Sequence, residues 1–334
     1  MILTIIQSQR RSAIVVTQPY DKSAAVVVLP GIAGGLLRDK SLRAWLSRGN
    51  VAKQAQSQET LRRILTALRL PYPDSGLAAL RMWGQTGDRP TVWIAGADPV
   101  HLEPRLGHLC LHALSDHSIP PADLRGIFDY LQETLAGGND FAFARIGRCG
   151  YLRSNEPMAS AGMPAYVVDQ QLPNEFMPSG VDAADYRNLS SEVEMALHEH
   201  EVNARREAAR QPAINSLWFW GGGLAPEAVV EPILPLFAAE PLSRGYWLSR
   251  TGVVEAWPGS IAACLERSVA GFVAIPELVA GDTKRVEKCL HELRSAVLSR
   301  RISEAVLIFL DGVEIRIRRS DELRFWRRRS PLLD

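Results

Sequence analysis

The sequence predicts an α/β protein with a mixed, mostly parallel sheet, and three observations carry that prediction. Residues 24–29 are an unbroken apolar run ended by Pro30 and Gly31, as in a strand buried on both faces. Residues 42–47 and 58–70 read as helices, and Pro71 and Pro73 stop the second. Residues 305–310 read as a second buried strand, Asp311-Gly312 as a hairpin turn, and residues 313–318 as a strand with period-two alternation. Parallel strands with one antiparallel hairpin at the edge make a mixed sheet in a layered α/β protein.

The chain of 334 residues is long enough for one large or two modest domains. It is 46% hydrophobic and 22% charged, an ordinary globular balance. Its net charge of +1 gives no global attraction to nucleic acid or to an acidic partner. Cys110, Cys149, Cys264 and Cys289 are scattered, with no C-x-x-C spacing, which suits structural thiols in a reducing compartment better than zinc. The opening MILTIIQSQRR has too short an apolar run and the wrong charge order for a signal peptide. No apolar run approaches the roughly 18 residues of a membrane helix. The expectation is a soluble, cytoplasmic protein, with no internal repeat and no low-complexity tract.

After a short helix over residues 76–83, residues 91–95 read as a strand leading into a loop, Asp98-Pro99-Val100-His101. Asp98 and His101 either line a cleft as a polar pair, or Asp98 caps a turn before proline; a metal lacks a third ligand. Residues 106–114 alternate like a strand and put His108 and His112 on one solvated face. Pro120 and Pro121 open a helix to Leu135. Residues 137–140 turn, and residues 141–145 and 151–153 read as strands around Gly147-Arg148. Residues 155–180 are rich in Pro, Met and Ser and read as a loop crossing a cleft.

The stretch 186–223 is the most informative. Ser190 begins a helix-like start, and Leu189, Val193, Ala196, Leu197 and Ala204 share one face, with His200 in the middle of the stripe. His200 reads either as a core histidine or as a site residue; Asn203 and Arg206 flank it. His198 and His200 are two apart, so they cannot form the i, i+4 pair of a zinc helix. Residues 213–220 read as a buried strand ended by Gly221, Gly222 and Gly223. The glycines are either a strand-ending turn or a backbone-lined anion site, with Pro226 opening the next helix.

H-E-V-N-A-R-R (200–206) followed by P-A-I-N-S-L-W-F-W-G-G-G (212–223) resembles the H-P-x-N-x-R-R and P-x-A-N blocks of archaeal-type cofactor-independent phosphoglycerate mutases. Together with A-D-P-V-H-L (97–102), it is also similar to a group of uncharacterised proteobacterial proteins related to those mutases and sometimes labelled regulatory. The resemblance implies an alkaline-phosphatase-like sheet core with an inserted α+β lobe. It assigns residues 1–85 and 216–334 to the core and 86–215 to the lobe. It also makes Arg148, His200, Asn203, Arg206, Asn215 and Gly221–Gly223 candidates for an anion pocket. Departures are plain. Pro30 stands where the mutases place a metal-binding Asp, no S-D-T-x-H-like stretch is found, and His291 is the one histidine beyond position 200. Trp220 replaces the arginine before the glycines, and Glu201 replaces a proline.

Beyond the glycines, residues 227–237, 261–268 and 283–300 read as helices and 271–275 as a strand. Arg316, Arg318, Arg319, Arg324, Arg327, Arg328 and Arg329 crowd the end around Phe325-Trp326. Arginines interleaved with aromatics suit single-stranded nucleic acid, but a solvated edge strand is the simpler reading. The functional expectation is a mutase-like protein without the metal and nucleophile site, with a regulatory role. It binds a small anionic or phosphorylated ligand through Asp98, His101, Arg148, His200, Asn203, Arg206, Asn215 and Gly221–Gly223. No cofactor, metal or membrane is called for; a protein partner is, and nucleic acid is disfavoured. The alternatives are an active cofactor-independent mutase or other phosphotransfer enzyme and, lower, a nucleic-acid regulator acting through the arginine tail.

Overall fold

The computed structural model describes residues 23–32, 37–53, 59–114, 118–138, 140–180, 183–268, 270–279, 281–324 and 326. The N-terminal stretch weighed as a signal peptide, and Phe325 and Arg327–Arg329 of the tail, lie outside the described residues. In chain order the elements are β1 (Ala25–Leu29), α1 (Lys40–Arg48), β2 (Asn50–Lys53), α2 (Thr60–Leu68), α3 (Leu77–Thr86), β3 (Trp93–Arg105) and β4 (His108–Ala113). There follow α4 (Pro121–Thr134), β5 (Phe141–Ile146), β6 (Cys149–Ser154), α5 (Ala165–Val168), α6 (Ala183–His198), α7 (Glu201–Ala208) and β7 (Ser216–Gly223). The last part holds β8 (Leu236–Ala238), α8 (Pro241–Ser249), β9 (Val254–Glu255), α9 (Ile261–Arg267), β10 (Phe272–Ile275), α10 (Thr283–Leu298), β11 (Glu304–Phe309) and β12 (Val313–Arg318).

Two sheets organise these elements. A seven-stranded sheet has the order β2-β12-β11-β1-β10-β8-β9. Its β11-β1-β10-β8-β9 part is parallel, and β12 and β2 add antiparallel pairings at one edge. A second, antiparallel sheet is built on the long β3, which pairs with β4, β6 and β7, while β5 pairs with β6. The mixed α/β class therefore holds. The boundary at 216 assigned β7 to the parallel sheet; its partner is β3, so the strand belongs to the second sheet.

Side-chain alternation shows why the sheets stack as they do. In β1, Val26 and Val28 face one cluster while Ala25, Val27 and Leu29 face another; in β11, Val306 and Ile308 oppose Ala305, Leu307 and Phe309. One face packs on α1, α9 and α10. The other meets α2, α3 and α8, and the same cluster continues into Ile94, Tyr151, Trp218 and Trp220 of the second sheet. The far face of the second sheet, with Phe143, Leu217 and Phe219, packs on α4 and α6. The order is thus helices, sheet, helices, sheet, helices, with apolar area buried in three slabs.

Four expectations need correction. Residues 227–237 form no helix, because Pro232 and Pro235 remove donors and Val229, Val230 and Ile233 are stiff β-branched residues. The helix α8 lies in a stretch to which the sequence reading assigned no element. Residues 186–206 are two helices, α6 and α7, broken at His200, and Ser190 lies inside α6 rather than at its start. Asp98-Pro99-Val100-His101 is continuous strand within β3, not a loop. The four cysteines form no disulfide. No helix among the described residues is long and apolar enough to cross a membrane.

The middle helices meet at bare backbone. A Cβ on Gly84 of α3 would lie 1.8 Å from the Pro241 carbonyl oxygen, and one on Gly245 of α8 would lie 1.8 Å from that of Leu80. Neither neighbour is a side-chain end that can swing away. Gly84→Ala and Gly245→Ala should each destabilise the protein by at least about 1–3 kcal/mol through overpacking. Urea unfolding of the two variants against the parent checks this, and two near-neutral substitutions would refute it.

Candidate functional site

The 200–215 block folds as a polar seam. His200 caps α7: its Nδ1 accepts from Val202 N at 3.3 Å, and its ring lies 4.8 Å from that of Tyr130. Burial lowers its pKa below the ordinary range. Asn203, 8% exposed, donates through Nδ2 to the carbonyls of Leu197 (2.8 Å) and Ile214 (2.9 Å), and its Oδ1 accepts from Ile214 N at 2.8 Å. Arg206, 2% exposed, donates to the carbonyls of Pro212 (2.7 Å) and Ser118 (3.2 Å). Asn215 mimics a strand residue against β3, accepting from Leu102 N at 2.7 Å and donating to Leu102 O at 2.9 Å. His101 Nδ1 lies 2.9 Å from Ala213 O. These side chains satisfy backbone groups where the chain leaves α6, turns through α7 and enters β7. They do not converge with the glycines in one anion pocket.

The glycines have their own task, which is to let α3 approach β7. Gly221 has φ +61°, and a Cβ there would lie 3.0 Å from that of Leu77. On Gly223 it would lie 2.5 Å from Gly76 N. Their N–H groups are engaged as well: Gly221 N donates to Ala161 O at 2.7 Å and Gly222 N to Ser160 Oγ at 2.9 Å. The triple glycine is a packing surface.

Asp98 and Arg148 both line a cleft of about 440 Å³ between the second sheet and the start of α8. Arg81 from α3, Trp220 from β7, Tyr166 and Asp169 from the α5 region, and Glu240 at the start of α8 also line it. Arg81 is 9% exposed; its Nη1 donates to Asp98 Oδ1 at 2.7 Å and its Nη2 to Gly150 O at 2.8 Å. Its guanidinium carbon lies 4.7 Å from the Tyr151 ring centre and 4.9 Å from that of Trp220. Burial works against its charge, but Asp98 more than compensates and raises its pKa above the ordinary range. Arg148 donates to Ile119 O at 3.2 Å from the turn between β5 and β6. Sequence reasoning missed Arg81, Tyr166, Asp169 and Glu240. For Arg81 there was a signal, a charge set in the apolar helix LAALRMW.

Behind Glu240 lies Glu59, 1% exposed, capping α2 through Leu61 N (2.6 Å) and Arg62 N (2.9 Å). The hydroxyls of Tyr166 and Tyr72 lie 3.2 and 3.4 Å from its oxygens. Burial, reinforced by the charge of Glu240, pushes its carboxyl up to about 7.

At the carboxyl end of β1, Ile32 N donates to Asp311 Oδ2 at 2.6 Å, beside Pro30 and Gly31. Among the described residues no group of three or more His, Cys, Asp or Glu side chains is placed to hold a metal ion. In the described part of the tail, Arg316 and Arg318 pair with Glu304 (4.0 and 2.9 Å), and Arg324 pairs with Asp321 (3.0 Å).

No protein-family model matches the chain, and no curated protein matches it significantly. Solved structures similar to it include a cofactor-independent phosphoglycerate mutase from Thermoplasma acidophilum, at 13% identity and TM-score 0.41, covering 89% of this chain and 90% of that one. Another is the PH0037 protein from Pyrococcus horikoshii, at 12% identity and TM-score 0.45, covering 89% and 87%. At these values the likeness carries nothing about ligand or chemistry.

Arg81→Ala should cost about 1–3 kcal/mol, because it leaves the partly buried Asp98 carboxylate without its partner; chemical denaturation reads this directly. Glu59 sets a separate pH dependence. Its folded pKa lies above the unfolded value of 4.5, so its contribution is complete below 4.5 and is lost as pH rises through about 7. The loss amounts to about 3 kcal/mol at 1.36 kcal/mol per pH unit. Glu59→Gln should flatten stability between pH 5 and 8, measured by urea unfolding at each pH; an unchanged slope would refute the assignment.

Proposed function

We propose that this chain is a phosphoglycerate-mutase-like binding protein whose cleft takes a small anionic ligand, with occupancy read out to a protein partner in a regulatory role. One observation carries the proposal. The 440 Å³ cleft, sized for a small molecule, brings Arg148 to a wall stiffened by the Arg81–Asp98 pair and faced by Trp220. Arginine recognises carboxylate or phosphate through charge-assisted hydrogen bonds. The kinship with the proteobacterial mutase-like group and a cytoplasmic location belong to the same proposal, supported by the motif resemblance and by four cysteines without a disulfide.

Inorganic phosphate and small carboxylic acids should raise the unfolding temperature in a thermal-shift screen, since a ligand that binds only the folded state stabilises it. Arg148→Ala should weaken such binding about tenfold or more and leave the unliganded midpoint nearly unchanged. Binding that survives Arg148→Ala would remove the cleft from consideration. Manganese-dependent mutase turnover abolished by chelation would replace a binding protein with an enzyme.

A further inference from the structure

A titratable group is buried beside the cleft and tied to two of its lining residues. Glu59 is 1% exposed, and its oxygens take donors from three stretches of chain. Oε1 accepts from Leu61 N at 2.6 Å and from the Tyr166 hydroxyl at 3.2 Å. Oε2 accepts from Arg62 N at 2.9 Å and from the Tyr72 hydroxyl at 3.4 Å. Tyr166, which bonds to Glu59, and Glu240, whose negative charge acts on it, both line the cleft.

This shell sets two demands against each other. Two backbone and two phenol donors occupy the acceptor positions of an ionised carboxylate, which favours the charge. A neutral carboxyl carries an O–H that needs an acceptor. Among these contacts only a tyrosine oxygen can serve, so one hydroxyl must turn from donor to acceptor. Against the charge stand burial and the carboxylate of Glu240, itself fixed by Leu242 N at 2.8 Å and Ser243 N at 2.7 Å. Burial first, and then Glu59, hold the hydroxyls of Tyr166 and Tyr72 well above the ordinary range, so both stay protonated. Arg62 lays its guanidinium carbon 3.6 Å from the Tyr72 ring centre. Other titratable groups on the same elements are engaged elsewhere. Arg63 donates to the carbonyls of Phe309 and Val313, Arg244 to those of Gly84 and Ala238, and Tyr246 to that of Pro71. Asp169, just after α5, accepts from Ala113 N, and Asp74, past Tyr72, is exposed.

We infer that the cleft takes its anion together with a proton: one proton passes from solvent to a Glu59 oxygen as the anion enters, and returns to solvent as the anion leaves. The inference rests on the anion-binding reading of the cleft given above and adds its regulation. An anion in a cleft lined by Tyr166 and Glu240 brings negative charge beside a carboxyl whose ionised form Glu240 already opposes. Protonation of Glu59 relieves that repulsion. Linkage makes the effect reciprocal: a proton on Glu59 tightens the anion, and its loss loosens the anion. Affinity is therefore full at pH below about 7, where Glu59 is already neutral in the free protein, and falls as pH rises above that.

Isothermal titration calorimetry with sulfate and with small carboxylic acids such as lactate tests this, since these probes keep one charge from about pH 6 to about pH 8.5. Affinity for at least one of them should fall about fivefold or more across that range. Titration near neutral pH in two buffers of different ionisation heat should show net proton uptake. Glu59→Gln keeps an acceptor for Leu61 N and cannot ionise, so its affinity should stay constant with pH and its proton uptake should vanish. Tyr166→Phe removes one donor to the carboxylate and should move the midpoint of the affinity change to higher pH. Melting temperatures show whether each variant folds. If Glu59→Gln does not, Tyr166→Phe and the proton count on the parent protein carry the test. Binding that Arg148→Ala weakens but that is constant across the range, with no proton uptake, would overturn the inference and keep the anion site. A pH dependence unchanged in Glu59→Gln would overturn it too, by assigning the proton to another group. No binding by any of these anions at any pH would overturn the anion site, and the inference with it.

Discussion

Two helices touching without side chains hold this molecule together. Where α3 crosses α8, Gly84 and Gly245 let each backbone reach the carbonyls of the other. The same α3 lies against β7 at Gly76, Gly221 and Gly223. A ten-residue helix is thus pressed between a helix of the parallel sheet's layer and a strand of the antiparallel sheet. The central apolar slab, from Val26 and Val306 to Trp218 and Trp220, is continuous because nothing bulkier separates the layers. Close packing is unforgiving of added volume, so the spacing of the two sheets is set by these five glycines.

The cleft follows from that spacing. Arg81 is buried in the middle of α3, and the close approach of α3 to β7 brings its guanidinium over Trp220 and next to Asp98 of β3. The approach of α8 delivers its capping residue, Glu240, to the same cleft. Charged groups from four separated stretches of chain become neighbours through backbone packing. Their pairing is then satisfied only in part: Arg81 finds Asp98, whereas Asp169 and Glu240 are held by N–H groups.

How much of this was legible depended on whether the cause was local. The buried strands β1 and β11, the β11–β12 hairpin and the proline-started α4 are spelled out by runs, turns and punctuation, and they appear as read. The helix α8 went unassigned; helix propensity counts its interior Gly245 as a cost, whereas in the fold it is a contact. His200 misled because an apolar stripe with period 3.6 continues across a break made by tertiary hydrogen bonds from Asn203. The seam of Asn203, Arg206 and Asn215 was singled out by its resemblance to the mutase block, but such side chains serve buried backbone as readily as a ligand. Of the residues lining the cleft, Asp98 and Arg148 were singled out in the sequence; Asp169 and Glu240 were not, since only the fold brings them to it.

Many two-lobed binding proteins gain selectivity by swinging shut on a ligand about a flexible joint. Here the joint is backbone against backbone, with no side chains whose rotation would absorb a change of angle. Packing this close resists a change of angle between α3 and its two neighbours. Tyr166, 55% exposed, lines the same cleft. A ligand held in a cleft so built would forgo the affinity that closure adds and escape the ordering entropy that closure costs.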